Sequence, residues 1–286
     1  MHLSYRGSVN SWECDENDHL NVRFYVEKHC QTLCGGASAL GLFVSAQAQD
    51  VLGSVTVQHI RFLQESRLAA PLSGYVGVIA VNAEFTDVLT ELRQSYTGEV
   101  LCTCIHRLAG VGGKVSATLE DYAAPKGVED SDLRHTVLDL AAVPGYGFHP
   151  IGMGVMQVGE CDVQGVPLLH NYMGRISDSM PHLWGDLHGE TGMMDENEGG
   201  AILEYRLRYH RPLHLGRHFT LMSGVSAVGA KVQGFAHLMF ETVTGDLCVS
   251  AEAAGVRLDL TERRAMVLSE EMQAGMRTRM IKDMHE

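Results

Sequence analysis

An internal repeat constrains this chain more than any other feature. Glu13-Cys14-Asp15 returns as Glu160-Cys161-Asp162, an offset of 147 residues, and Tyr25 returns as Tyr172. The same offset joins Gly53 to Gly200, Arg61 to Arg208, Leu68 to Leu215, Gly77 to Gly224, Val78 to Val225, Ala80 to Ala227, Val81 to Val228, and Thr97-Gly98 to Thr244-Gly245. Chance identities scatter, whereas these hold one register. A chain of 286 residues has room for one large domain or for two. The repeat decides for two, spanning 1–124 and 151–286, with 125–150 as a glycine- and proline-punctuated linker holding a short helix near 129–141.

Within the first copy, residues 5–13 alternate weakly, as a strand does. From Val22 to about Gln49 the apolar residues Val22, Tyr25, Val26, Leu33, Ala37, Leu40 and Phe43 follow a helical spacing. This predicts a long, largely buried helix, with Gly35-Gly36 either admitting another backbone or kinking it. Then the period changes to two. Runs at 55–60, 73–82, 85–96 and 99–108 predict an antiparallel meander with a hairpin turn at Thr97-Gly98. In the second copy Pro181 and Gly185 fall where the first helix has Cys34 and Ser38, which predicts a broken or shortened helix. Thr261 reads as the N-cap of a last helix over 262–283.

Between the first strand and the helix lies Glu13-Cys-Asp-Glu-Asn-Asp-His-Leu-Asn21, which puts Asp15, His19 and Asn21 on one polar turn. An acid, an imidazole and an amide thus meet a helix N-terminus, where backbone N–H groups lack intrahelical partners. The second copy keeps Asp162 but has Val166 and Leu168 where His19 and Asn21 stand.

Strand, polar D-x-x-x-H-x-N turn, long helix and meander together resemble the hot-dog fold of the acyl-CoA thioesterase superfamily. The first copy carries the Asp, His, Asn, aromatic order as Asp15, His19, Asn21 and Tyr25. The second is similar to the D-x-A-G-[IV] then N-Y stretch of 4-hydroxybenzoyl-CoA-type thioesterases, through Asp162, Gly165, Val166, Asn171 and Tyr172. The resemblance implies an α+β chain of two fused hot-dog domains, each a long central helix wrapped by an antiparallel sheet: a pseudo-dimer within one polypeptide, free to associate further. It implies thioester hydrolysis. Asp15 would serve as nucleophile or general base, His19 and Asn21 would assist, Asp162 would be a second catalytic carboxylate, and helix N-terminal amides would bind the oxyanion.

Tyr25, Asn171 and Tyr172 would border the substrate, and Arg61, Arg67, Arg208 and Arg211 are candidates for phosphates of the carrier. Acyl-CoA or acyl-carrier-protein thioesters are the expected partners, with coenzyme A as part of the substrate and no separate cofactor or metal. A hot-dog enoyl-CoA hydratase or dehydratase, and a non-catalytic acyl-CoA binding protein, are the alternative readings.

Composition narrows the partners. A formal charge of −13 opposes nucleic acid and anionic membranes as partners. No run of apolar residues is long enough to cross a bilayer, and the N-terminus lacks the basic-then-apolar order of a secretory signal, so a cytoplasmic location is expected. Seven cysteines, with no C-x-x-C pair, read as reduced and mostly buried.

Overall fold

A computed structural model describes residues 1–42, 48–110, 118–122, 125, 128, 139–188 and 197–282. Two compact units emerge, one of Met1–Lys126 with Leu168–Gly174, the other of Gly127–Pro167 with Arg175–Glu286. Most of the short helix expected at 129–141 lies outside the described residues, as does Phe43.

In the first unit β1 (His2–Ser8) leads through a single 3-10 turn (Ser11–Glu13) to α1 (Val22–Ala37). A short α2 (Ala48–Gly53) follows, then β2 (Val55–Phe62), β3 (Pro71–Val81), β4 (Phe85–Gln94) and β5 (Val100–Ala109). The strands pair antiparallel in the order β1-β3-β4-β5-β2. α1 begins where Asn21 caps it and packs Tyr25, Val26, His29, Cys30, Leu33, Gly36 and Ala37 inward. The Gly35-Gly36 pair serves close approach: a Cβ at Gly35 would meet the Ser4 carbonyl of β1 at 2.6 Å.

The second unit repeats this order. β6 (His149–Val155), a 3-10 turn (Val158–Glu160) and α3 (Leu169–His188), whose opening residues as far as Gly174 count with the first unit, precede β7 (Glu198–Tyr209), β8 (His218–Val228), β9 (Val232–Glu241) and β10 (Leu247–Asp259). Its strands pair in the order β6-β8-β9-β10-β7, the same topology. The repeated glycines acquire a reason here. Leu119 crosses the first sheet with its N–H on the Val78 carbonyl, and Ile281 crosses the second with its N–H on the Val225 carbonyl, both at 2.8 Å. A Cβ at Gly77 would lie 2.7 Å from Leu119 Cδ1, and one at Gly224 2.4 Å from Ile281 Cγ2.

Three local expectations are corrected. The helix expected from Val22 to about Gln49 ends at Ala37, and a turn at 38–41 follows. α3 runs 20 residues with Pro181 inside it, so the proline does not break the helix. Proline removes one N–H and crowds the preceding turn, yet Tyr172, Met173, Ile176 and Leu183 are all buried, and that packing holds the helix together. Thr261 caps nothing: its N–H donates to Asp259 Oδ1 in a turn. The chain then forms β11 (Arg264–Ala265) against β10, and the last helix is α4 (Glu270–Arg277), capped by Ser269.

Each unit hides a chain of buried polar side chains. In the first, Gln58 Nε2 meets His106 Nδ1 at 3.1 Å, His106 Nε2 meets Thr90 Oγ1 at 2.9 Å, and Thr90 Oγ1 meets His29 Nδ1 at 2.7 Å. In the second, His237 lies between Ser223 Oγ at 2.7 Å and Tyr205 OH at 3.2 Å. Burial lowers the pKa of His106 and His237 from 6.5 to about 3 and lowers that of His29 as well. The unfolded chain therefore binds protons that the fold refuses between pH 6.5 and 3. Stability is whole above that window and falls as pH drops through it. At pH 5 the loss is about 2 kcal/mol each for His106 and His237. Thermal unfolding should show a midpoint several degrees lower at pH 5 than at pH 7, with the fall reduced in His237→Gln. A midpoint indifferent to pH over this range would contradict it.

Candidate active site

The site is built on the turn between β1 and α1. Glu13 C=O accepts from Asn21 N–H at 2.9 Å, Cys14 bridges Leu20, and Asp15 N–H donates to the His19 carbonyl at 2.9 Å, closing a small loop. Asp18 closes it with φ 60°, a left-handed conformation that aspartate tolerates through its short polar side chain. Asp15 Oδ1 accepts from Asn17 N–H at 2.9 Å and faces His19 N–H at 3.5 Å. Its other oxygen lies 3.0 Å from His19 Nδ1.

His19 Nε2 turns to Glu65 Oε1 at 3.4 Å. The three side chains are 15 %, 14 % and 37 % exposed in the order Asp15, His19, Glu65, so the chain of groups runs from the interior toward solvent. Glu65 arrives from the segment after β2, held by Leu20 N–H on the Ser66 carbonyl and by a backbone bridge between His19 and Arg67. Tyr25 fixes the same segment. Its OH donates to the Gln64 carbonyl at 3.1 Å and accepts from Ser66 N–H at 3.0 Å, and burial pushes the phenol's pKa up. Tyr25 thus lies beneath the site.

Asn21 is the N-cap of α1, its Oδ1 accepting from Arg23 N–H at 2.9 Å. Phe24 N–H bonds the Asn21 carbonyl. Of the opening amides this leaves Val22 N–H without a partner among the described residues.

Asp162 sits in a copy of the loop. Its Oδ1 accepts from Gln164 and Val166 N–H at 2.8 and 2.9 Å, its own N–H donates to the Val166 carbonyl, Cys161 bridges Pro167, and Gly165 takes φ 77° at the place of Asp18. The backbone is reproduced and the imidazole is not.

The other expected residues lie on several elements. Arg67 is exposed beside His19, Arg61 stands half-buried on β2, and Arg208 half-buried on β7 in the second unit, where Arg211 pairs with Asp246. Asn171 and Tyr172 are buried in the opening turn of α3; Asn171 Oδ1 accepts from Arg23 Nη2 at 2.7 Å within the first unit.

Sequence reasoning missed two features. Glu65 is one. The other is a buried ion pair, Glu13 with Lys28, matched in the second unit by Glu160 with Arg175. The 147-residue offset pairs Lys28 with Arg175, a signal that matching by identity overlooks. Among the described residues no cluster of His, Cys, Asp and Glu is placed to hold a metal ion, and no helix is long and apolar enough to cross a membrane.

Helix, meander and strand order define a hot-dog fold, and solved structures agree. The 12:0-ACP thioesterase of Umbellularia californica is similar with a TM-score of 0.65 at 12% identity, over 88% of this chain and 93% of that one. An acyl-ACP thioesterase of Bacteroides thetaiotaomicron gives 0.63 at 13% identity, over 88% and 96%. A protein of unknown function with a hot dog fold from Alicyclobacillus acidocaldarius gives 0.53 at 11%, over 89% and 95%. No protein-family model matches the chain, and no curated protein matches it by sequence.

Proposed function

We propose that the chain is a tandem pair of hot-dog domains that hydrolyses acyl thioesters of coenzyme A or of an acyl carrier protein at a single site in the first unit. The observation that carries this is the Asp15–His19–Glu65 chain beside the cap of α1. The likeness to the two acyl-ACP thioesterases supports it.

Hydrolysis needs a base to activate water and a donor to hold the oxyanion. Both Asp15 oxygens are engaged, one by backbone amides and one by the imidazole, which suits orienting His19 better than direct attack. The water is then activated at His19 Nε2 and Glu65, on the solvent side. Val22 N–H polarises the thioester carbonyl. Arg67, exposed beside His19, would meet a phosphate of the carrier. In the second unit Asp162 keeps the turn alone and carries no chemistry.

The test is release of free thiol from short, long and aromatic acyl-CoAs and from acyl-carrier-protein thioesters. Turnover that yields thiol and carboxylic acid is expected. Hydration of an enoyl thioester without thiol release, or binding without turnover, would overturn the reading.

A further inference from the structure

We propose that the buried Glu13–Lys28 ion pair is a positioning device for the reacting groups, an inference that rests on the hydrolase reading of the Asp15 site. Glu13 is 6 % exposed and Lys28 3 %. Glu13 Oε1 accepts from Lys28 Nζ at 2.6 Å, and Oε2 accepts from Asn10 N–H at 2.8 Å and from Asn10 Nδ2 at 3.3 Å. Its carbonyl takes the N–H of Asn21, the cap of α1. One residue is therefore tied to the chain leaving β1, to the helix cap and to the second turn of the helix.

The loop that carries Asp15 and His19 hangs from this anchor. Its two ends meet at the bond between Glu13 and Asn21, and Lys28 is the side chain that reaches from the body of α1 to the base of the loop. The oxyanion donor, Val22 N–H, belongs to the helix, whereas the imidazole and its carboxylates belong to the loop and the segment paired with it. Lys28 thus sets the separation between base and oxyanion donor, and catalysis is steep in such separations.

The second unit supplies an internal control. Arg175 Nε and Nη2 each donate to Glu160 at 2.7 Å, and Glu160 Oε2 also accepts from Gln157 N–H at 2.7 Å. The same strut there braces a turn with Val166 and Leu168 in place of His19 and Asn21. If the pair only holds the fold together, breaking either strut costs stability alike and leaves the turnover of folded protein unchanged. If it positions the groups, only the first strut matters to turnover.

The experiment compares Glu13→Gln/Lys28→Met with Glu160→Gln/Arg175→Met, both kept electrically neutral so that no lone charge is left buried. Both are assayed well below their unfolding midpoints, with kcat and KM separated. The first double variant should lose kcat on the order of 10²-fold at nearly unchanged KM, and the second should keep wild-type kcat. Lys28→Arg and Arg175→Lys, which retain the charge, form a second comparison in folded protein: Lys28→Arg lowers kcat severalfold and Arg175→Lys does not. Equal effects in the two units, or wild-type kcat in folded Lys28 variants, would overturn the positioning role while Asp15-dependent hydrolysis stands. A wild type that releases no thiol overturns the hydrolase reading, and the role of the pair with it.

Discussion

Val22→Pro should lower kcat by about 10²–10³-fold, the loss typical of removing one oxyanion donor, while the protein stays folded. Val22 is the first residue of α1, the position where proline is best tolerated because its missing N–H has no intrahelical partner and its fixed φ suits a helix start. Asn21, with φ −65° and ψ 146°, already has the extended conformation that a residue before proline adopts. The Asn21 side chain caps Arg23 N–H, so the cap itself survives. The substitution therefore replaces the donor hydrogen with the ring Cδ and leaves the helix start and its cap in place. Circular dichroism and the unfolding midpoint check the fold; steady-state thiol release checks the rate. A folded Val22→Pro protein with wild-type kcat would show that the oxyanion is held elsewhere.

His19→Gln should cost on the order of 10²–10⁴-fold in kcat, the range for a positioned general base. Glutamine keeps a polar group between Asp15 and Glu65 yet cannot accept and release a proton. Glu65→Gln should weaken turnover in the same sense, because the carboxylate 3.4 Å from His19 Nε2 lies on the side where water arrives. The double variant should be little worse than His19→Gln alone, since residues acting as one unit are not additive. Fully multiplicative losses would mean that the two groups act separately.

The Asp15 turn was legible because its chemistry is local. A carboxylate, an imidazole and a cap amide within seven residues fold onto one another through short loops, and their order speaks directly. Glu65 was not legible. It lies fifty residues from Asp15, and only the pairing of Leu20 with Ser66 and of His19 with Arg67 brings it to the imidazole. No local pattern encodes a contact fixed by two segments meeting in space.

The strand runs of the meander read well because alternation reports which face is buried. The helices read less well at their ends. Pro181 carries a local penalty that the packing of α3 outweighs, and after Thr261 the chain turns, with the Thr261 and Glu262 N–H groups both on Asp259 Oδ1, and goes on to β11 instead of a helix. The repeat told that Asp15 and Asp162 share a backbone. That one of them faces an imidazole and the other does not was also written there, in Val166 and Leu168.

Chemistry confined to the first turn predicts a one-sided result. Single-turnover thiol release, with enzyme in excess over the best acyl thioester, compares wild type, Asp15→Asn and Asp162→Asn directly. Asp15→Asn should lose nearly all of the rate through a misoriented imidazole, and Asp162→Asn should retain it once its folding is confirmed. Loss of the rate in folded Asp162→Asn with Asp15→Asn unaffected would move the chemistry to the second unit.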